Sequence, residues 1–336
     1  MKTLLTLLAT LMLVAAMSQT EAAEPEIKVG IIGLDTSHAI AFTKELNNPD
    51  AKPDVAHCRV VAVYPKGSPD IESSTKRVPE YIETIKKLDV EIVDSIDELL
   101  KRVDCVLLET NDGRPHLEQA IPVFKAGKPV FIDKPLAGSL ADCIALFAAA
   151  KKYNCPMFCS SSLRYGTSTQ AARAGDFGKI TRCETMSPAS LEKTHPDLFW
   201  YGIHGCESLF TVLGKNCESV QRGKTAEGLI EVTGQWQGGV VGVFREGKGY
   251  GGVAQTEKGE QEVGKSEGYR PLVVEIVKFF RTKDLPIQPE ETLALYAFME
   301  GADESKRRDG ASVTLKEVLA KAQPLAEKRL AELGVK

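Results

Sequence analysis

The chain has 336 residues, 43% hydrophobic and 26% charged, which is enough apolar material for a sizeable core and a length that favours two domains over one. Its 46 acidic residues against 42 basic ones give a formal charge of -4, so no cation excess exists to neutralise a phosphate backbone and nucleic acid is not an expected partner. The eight cysteines lack zinc-type spacing and mostly sit in apolar runs, so they read as buried thiols; a disulfide involving Cys155, Cys159 or Cys183 stays open.

Residues 1–23 have the form of a secretory signal. Lys2 precedes an apolar run from Leu4 to Ala16, and small residues follow up to Ala22 and Ala23. The run is too short to span a bilayer comfortably, and neither a twin arginine nor a lipid-attachment cysteine accompanies it. The expectation is export to the periplasm or beyond through a Sec-type route, with no membrane span left after cleavage.

From Ile27, short β-type runs alternate with longer helical ones, the pattern of a parallel sheet with crossover helices. Strands are expected at Ile27–Gly33, Arg59–Tyr64, Asp104–Glu109 and Pro129–Ile132. Helices are expected at Ser37–Leu46, Asp97–Lys101, His116–Ala126 and Ser139–Tyr153, the last capped by Ser139. These elements define a Rossmann-like, doubly wound domain over residues 24–156.

Residues 157–336 read as an α+β domain with a mostly antiparallel sheet. Leu229–Trp236 and Gly239–Arg245 alternate in period two around a Gln237-Gly238 turn. Glu246–Glu267, rich in Gly, Lys and Glu, reads as a mobile surface loop. Helices return at Leu272–Arg281, Pro289–Arg308 and Thr314–Leu333.

The first strand runs into Gly33-Leu34-Asp35-Thr36-Ser37-His38, where a dinucleotide fold places G-x-G-x-x-G. Only Gly33 fits. Asp35 stands where the second glycine lets a pyrophosphate approach, bringing a negative charge towards an anion, and His38 stands where a small residue packs the helix onto the strand. No acid follows the second strand at Val63-Tyr64-Pro65-Lys66 to hold an adenosine ribose. At least one of Asp35, Thr36 and Ser37 is expected to cap the helix.

Beyond that loop the sequence resembles the glucose-fructose oxidoreductase, inositol dehydrogenase and MocA family. The resemblance rests on Val106-Leu107-Leu108-Glu109-Thr110-Asn111-Asp112 with His116, on Ala126-Gly127-Lys128-Pro129-Val130, and on Ile132-Asp133-Lys134-Pro135, similar to the family's Glu-Lys-Pro motif. It extends to Trp200-Tyr201-Gly202-Ile203-His204 and to Glu290-Glu291-Thr292-Leu293. It implies NAD or NADP as cofactor and a sugar or polyol as substrate. Lys134 would lie beside nicotinamide and substrate, with His204 as acid or base. Gly33, Asp35, Thr36, Ser37, His38, Asn111, His116 and Asp133 would line the cofactor groove. It also implies pairing of subunits through the second domain's sheet. Trp200 occupies the place of a frequent family aspartate, for which Glu207 or Tyr201 could stand in.

Lys134 follows a strand directly, at the carboxyl edge where open α/β sheets bind ligands, and Asp35, His38, Asn111, Asp112 and His116 are expected at the same edge. His195 reads as a surface or cleft-rim residue. No metal is expected, because Asp35, His38 and His116 lack ligand spacing. Three functions follow: an exported NAD(P)-dependent oxidoreductase acting on a sugar or polyol, a lyase, hydrolase or epimerase working by acid and base on the same fold, or a carbohydrate-binding protein. Against the first stand Asp35 and the inability of a chain exported unfolded to carry a bound dinucleotide.

Overall fold

The structure, a computed structural model, describes residues 25–335, so the expected signal segment lies outside it. Eleven elements build the first layer system: β1 (Ile27–Ile32), α1 (Ser37–Leu46), β2 (Cys58–Tyr64), α2 (Glu72–Lys86), β3 (Glu91–Ile92), α3 (Ile96–Leu100), β4 (Cys105–Leu108), α4 (His116–Lys125), β5 (Val130–Ile132), α5 (Leu140–Lys152) and β6 (Met157–Cys159). The strands are parallel in the order β3-β2-β1-β4-β5-β6. Every residue of β4, β5 and β6 is buried, because helices cover both faces. The order reverses between β1 and β4, which opens a crevice at their carboxyl ends.

The expected elements of this half fall within one or two residues of the observed ones. Thr36 is the residue that caps α1, its hydroxyl accepting the Ala39 amide, and Ser139 caps α5 through the Asp142 amide. The sequence hid α2: Pro79 lies inside it and only Ser74 and Ile85 are buried, so no apolar stripe marks it. β6 joins the first sheet, which therefore continues past residue 156.

The chain then forms a short 3-10 turn at Ser162–Tyr165, followed by α6 (Thr167–Ala174), β7 (Ile180–Ser187), α7 (Asp197–Trp200), α8 (Ile203–Leu213), β8 (Cys217–Lys224), β9 (Ile230–Trp236), β10 (Val240–Glu246), β11 (Gly251–Thr256) and β12 (Gly259–Val263). After α9 (Arg270–Thr282) and α10 (Pro289–Arg307), β13 (Val313–Thr314) closes the second sheet, and α11 (Leu315–Glu332) ends the fold. The second sheet runs β12-β11-β7-β10-β9-β8-β13, antiparallel except where β7 meets β10.

The expected mobile loop at 246–267 is instead largely a hairpin. β11 and β12 pair with each other, and β11 adds to β7, burying Ala254 and Val263. Its glycines and charges mark exposed positions of an edge pair, with Gly259 at φ +102° in the turn.

The last helices return to the first sheet and fix the two halves together. Phe279 of α9 packs edge-on against Phe158 of β6 at 4.9 Å, and Phe131 meets Phe158 at 5.1 Å. Each such buried phenylalanine contributes about 1.5–3 kcal/mol relative to exposure. On the other side, Arg329 of α11 reaches Glu118 at 2.6 Å and Asp142 at 3.2 Å.

All eight cysteines are free and buried, Cys155, Cys159 and Cys183 among them. Among the described residues no helix is long and apolar enough to cross a membrane.

Gly33 sets the spacing at the mouth of the crevice. Its φ is +91°, and a Cβ there would lie 2.6 Å from the Thr110 Cα. Gly33→Ala is therefore expected to destabilise the fold by more than about 1 kcal/mol, read by urea denaturation. A variant as stable as the parent would contradict this close approach.

Candidate active site

Three strand ends meet at one edge: β1 runs into the α1 turn, β4 into Glu109–Asp112, and β5 into Asp133–Lys134. Opposite them stand α7, the start of α8 and the segments around Tyr250 and Tyr269. Between the two walls is a cavity of about 410 Å³. Thr36, Ser37, His38, Asn111 and Lys134 line it from the first domain, and Trp200, Tyr201, His204, Tyr250 and Tyr269 from the second.

Lys134 is 8% exposed, and no side chain among the described residues hydrogen-bonds or ion-pairs with its ammonium group. The ammonium lies 5.6 Å from the centroid of the Tyr201 ring, a cation–π distance. A buried, unpaired cation is costly, and here it faces the cavity.

His204 is held by Ser161, whose hydroxyl is 2.7 Å from Nδ1. Nε2 has no protein partner among the described residues. The Tyr201 and Tyr250 rings flank the imidazole edge-on, at 5.4 and 5.8 Å. Burial first, then the charges of Lys134 and His38, push the His204 pKa well below the usual imidazole value. His204 is thus a neutral base beside a cation at neutral pH. Burial, followed by the neighbouring Tyr201, raises the Tyr250 hydroxyl to about 12.

A buried ion-pair chain holds this wall. Arg164 bonds Glu207 at 2.8 Å and Glu291 at 2.6 Å, and Glu291 also takes Arg173 at 2.8 Å. Glu207 further accepts the Ser160 hydroxyl and the Ser161 amide, each at 2.7 Å. Glu207 is thereby consumed in positioning Ser161, the residue that holds His204. It does not replace the aspartate missing at Trp200, and Tyr201 is the candidate substitute that lines the cavity.

The expected groove residues divide into two sets. Thr36, Ser37, His38 and Asn111 line the cavity with Lys134 and His204. Gly33, Asp35, Asp133 and His116 do not. Asp35 points away from the cavity, its carboxylate accepting the Asn111 amide at 2.9 Å and the Ser74 hydroxyl at 2.7 Å, and burial raises its pKa. Asp133 lies behind Lys134, accepting that residue's amide at 2.8 Å and meeting His38 Nδ1 at 2.7 Å.

His116 is fully buried between the Leu136 carbonyl at 3.0 Å and the Thr110 carbonyl at 2.8 Å. It ties the turn after β4 to the segment after Lys134, which is structural work. His195 is not at the rim: it is buried, accepts the Gly113 amide at 3.2 Å and packs on Trp200 at 4.9 Å. Asp112 accepts from Arg114 and Ser68 rather than facing the cavity, and His195 Nε2 lies 3.2 Å from it.

Burial lowers the pKa of His204 well below the usual imidazole value. His204 therefore stays neutral in the folded chain while the unfolded chain takes up a proton below about pH 6.5. Its contribution to stability is complete above that pH and is lost as pH falls below it. Urea denaturation at pH 7.5 and pH 5.5 should show lower stability at the acid value, with a smaller drop in His204→Gln. Equal stability at both values would contradict the burial of a neutral imidazole.

Sequence reasoning missed Arg77, Tyr250 and Tyr269, which line the cavity, and Glu109, which is buried beside it. Arg77 lies on the helix that had no apolar stripe, and Tyr250 falls in the stretch expected to be a loop. Burial, then the nearby Asp133 charge, push the Glu109 carboxyl well above the usual range.

Residues 27–160 match the family model of an oxidoreductase family with an NAD-binding Rossmann fold, Gfo/Idh/MocA. The N-terminal domain belongs to the Gfo/Idh/MocA oxidoreductase family. An uncharacterized oxidoreductase of Streptococcus pneumoniae is 29% identical over 132 residues, covering 37% of this chain and 35% of the relative. The 2,7-anhydro-N-acetylneuraminate hydratase of Escherichia coli is 32% identical over 160 residues, covering 42% of this chain and 43% of the relative. The chain thus spans less than half the length of the curated relatives it matches. Among solved structures, scyllo-inositol dehydrogenase of Lactobacillus casei, with bound NAD(H) and scyllo-inositol, superposes with a TM-score of 0.64 at 16% identity. That superposition covers 87% of this chain and 99% of the other. The whole two-domain architecture is therefore that of the Gfo/Idh/MocA fold.

A dinucleotide in this fold rests its pyrophosphate on the first turn and its adenosine ribose between that turn and the end of β2. In this chain the two loops touch. A Cβ on Gly67, in the loop after β2, would lie 2.8 Å from the Asp35 carboxylate and would also strike the Ser74 hydroxyl. Asp35 is tied to Ser74 against the loop after β2, and Tyr64, Pro65 and Lys66 supply no acid for the ribose hydroxyls. The residues of the adenosine half do not supply the usual contacts for a dinucleotide.

Proposed function

We propose that this chain is an enzyme for sugars or sugar acids that works by proton transfer in the crevice between its domains. The observation that carries this reading is the unpartnered Lys134 ammonium facing neutral His204 in one enclosed cavity. A substrate carbonyl or carboxyl oxygen near Lys134 would have its developing negative charge stabilised by the ammonium. His204, through Nε2, would take the proton from the adjacent carbon and return it. The hydroxyls of Tyr201 and Tyr250 supply further donors to a polyhydroxylated ligand. Epimerisation would need a second donor to protonate the opposite face, for which the Tyr201 or Tyr250 hydroxyl is available in the same cavity, while His204 keeps the proton it removed. Losing a group from the next carbon gives elimination, and the reverse gives hydration. The Escherichia coli relative, a 2,7-anhydro-N-acetylneuraminate hydratase, supports hydration as a net reaction on such a domain.

The test is proton exchange. Sugars and sugar acids incubated with the protein in deuterium oxide should gain deuterium at a carbon next to a carbonyl, and Lys134→Met and His204→Ala should abolish this. Exchange that survives both substitutions would refute the assignment.

A second reading, NAD(P)-dependent oxidation of a sugar or polyol, is favoured by the matched family model and by NAD(H) in the inositol dehydrogenase. There Lys134 and His204 would keep the same places. We also propose export through the leader at 1–23. Sequencing the amino terminus of the protein from the periplasm or medium should start after Ala16, Ala22 or Ala23, and an intact Met1 would refute it.

A further inference from the structure

Just behind the cavity wall, three buried side chains left unused by the proton-transfer chemistry converge. His38 at the start of α1, Glu109 after β4 and Asp133 after β5 place their ligand atoms within 4.8 Å of one another. His38 and Asp133 already touch at 2.7 Å. Glu109 is different. One of its oxygens meets only the Thr36 hydroxyl, at a long 3.4 Å, and the other, Oε1, is sealed from solvent with no hydrogen-bond partner at all.

Native structures rarely leave a buried carboxylate oxygen unsatisfied, and here a second buried carboxylate stands beside it. A proton on Glu109 would remove one charge, yet as the side chains stand Oε1 would still have no partner, and only a shift towards Asp133 would give it one. A cation answers every part of the problem at once: the orphaned oxygen, the repulsion between the two carboxylates, and an imidazole nitrogen turned towards them.

We propose that His38, Glu109 and Asp133 hold a divalent transition-metal ion. One imidazole with two carboxylates suits manganese, iron or zinc rather than magnesium or calcium, which favour all-oxygen donors. Ligand bonds of about 2.0–2.2 Å put donors around one ion roughly 3–4 Å apart, so closing the observed cluster needs only small side-chain movements. His38 and Thr36 also line the crevice, which places the ion within reach of water or a substrate hydroxyl on that side. None of this depends on the proton-transfer reading, because it concerns different side chains and is read out by binding.

The test uses the whole mature protein, stripped with chelator, dialysed, and titrated by calorimetry with Mn²⁺ and separately with Zn²⁺. The expected result is one ion per chain for at least one metal and a rise in melting temperature on loading. Glu109→Gln keeps the shape and removes the charge, so it should weaken binding by at least about 100-fold and abolish the rise. His38→Gln should do the same, and it serves as the second variant if Glu109→Gln does not fold. Glu72→Gln, on an exposed helix, should bind as the parent does. The proposal is overturned by failure of both metals to bind stoichiometrically, by binding unchanged in the Glu109 and His38 variants, or by a high-resolution structure from metal-containing solution with only a water on Oε1.

Discussion

Replacing Lys134 by methionine is expected to lower turnover by about 10²–10⁴-fold, the usual range for removing a group that takes part in proton transfer, while leaving the protein as stable as before or more so. The two effects have one cause. Lys134 is 8% exposed and its ammonium has no hydrogen-bonded or ion-paired side chain among the described residues, only the longer-range attraction of the buried Asp133 and Glu109 carboxyls, so the fold bears part of its desolvation until a ligand arrives. Methionine fills the same space without a charge and relieves that cost. Turnover on any exchanging sugar, paired with a thermal melt, reads both quantities. A variant that lost stability along with activity would show that Lys134 is a structural residue and that the crevice is not organised around it.

Replacing Arg164 by methionine is expected to destabilise the fold by about 3–5 kcal/mol, because removing one partner of a buried ion pair strands the others. Arg164 is 2% exposed and bridges Glu207 to Glu291. Without it Glu291 keeps Arg173, but Glu207 keeps only the Ser160 hydroxyl and the Ser161 amide. Ser161 holds His204, so the stability loss should be accompanied by weaker exchange in whatever protein still folds. Arg164→Lys should recover little, since a point charge cannot serve two carboxylates with a planar fork. Urea denaturation of both variants measures the effect, and a loss below about 1 kcal/mol would contradict the role given to this chain of charges.

The first domain was readable because its strands are buried on both faces and its helices carry caps and apolar stripes. β1, β4 and β5 needed nothing beyond local pattern, Ser139 announced its helix, and the cap of α1 was narrowed to Asp35, Thr36 or Ser37. α2 was invisible for the converse reason: it covers little of the core, so its outward charges and internal Pro79 say nothing about a helix. The β11–β12 hairpin was hidden by glycine and charge, which edge strands share with loops.

At the site, Lys134, Thr36, Ser37, His38 and Asn111 could be named because strand ends in a parallel sheet all face one edge, and His204, on a helix of the second domain, only because of the family resemblance. Direction of the side chain could not be named. Asp35 was placed correctly on the turn, but it reaches sideways to Ser74 on the helix that sequence pattern did not reveal. His116 and His195 were assigned by residue type, whereas backbone partners such as the Thr110 carbonyl and the Gly113 amide exist only once the chain is folded. Glu109 stood in a motif of the resemblance and at the end of an expected strand, but nothing assigned it to the site because its burial is known only once the chain is folded.

The most direct test of the claim that this crevice works without a dinucleotide is calorimetric titration of the purified mature protein with NADH and NADPH. The closed contact between Asp35, Gly67 and Ser74 predicts no saturable heat at millimolar concentration of either. One-to-one binding in the micromolar range would contradict it and restore hydride transfer as the chemistry of Lys134 and His204.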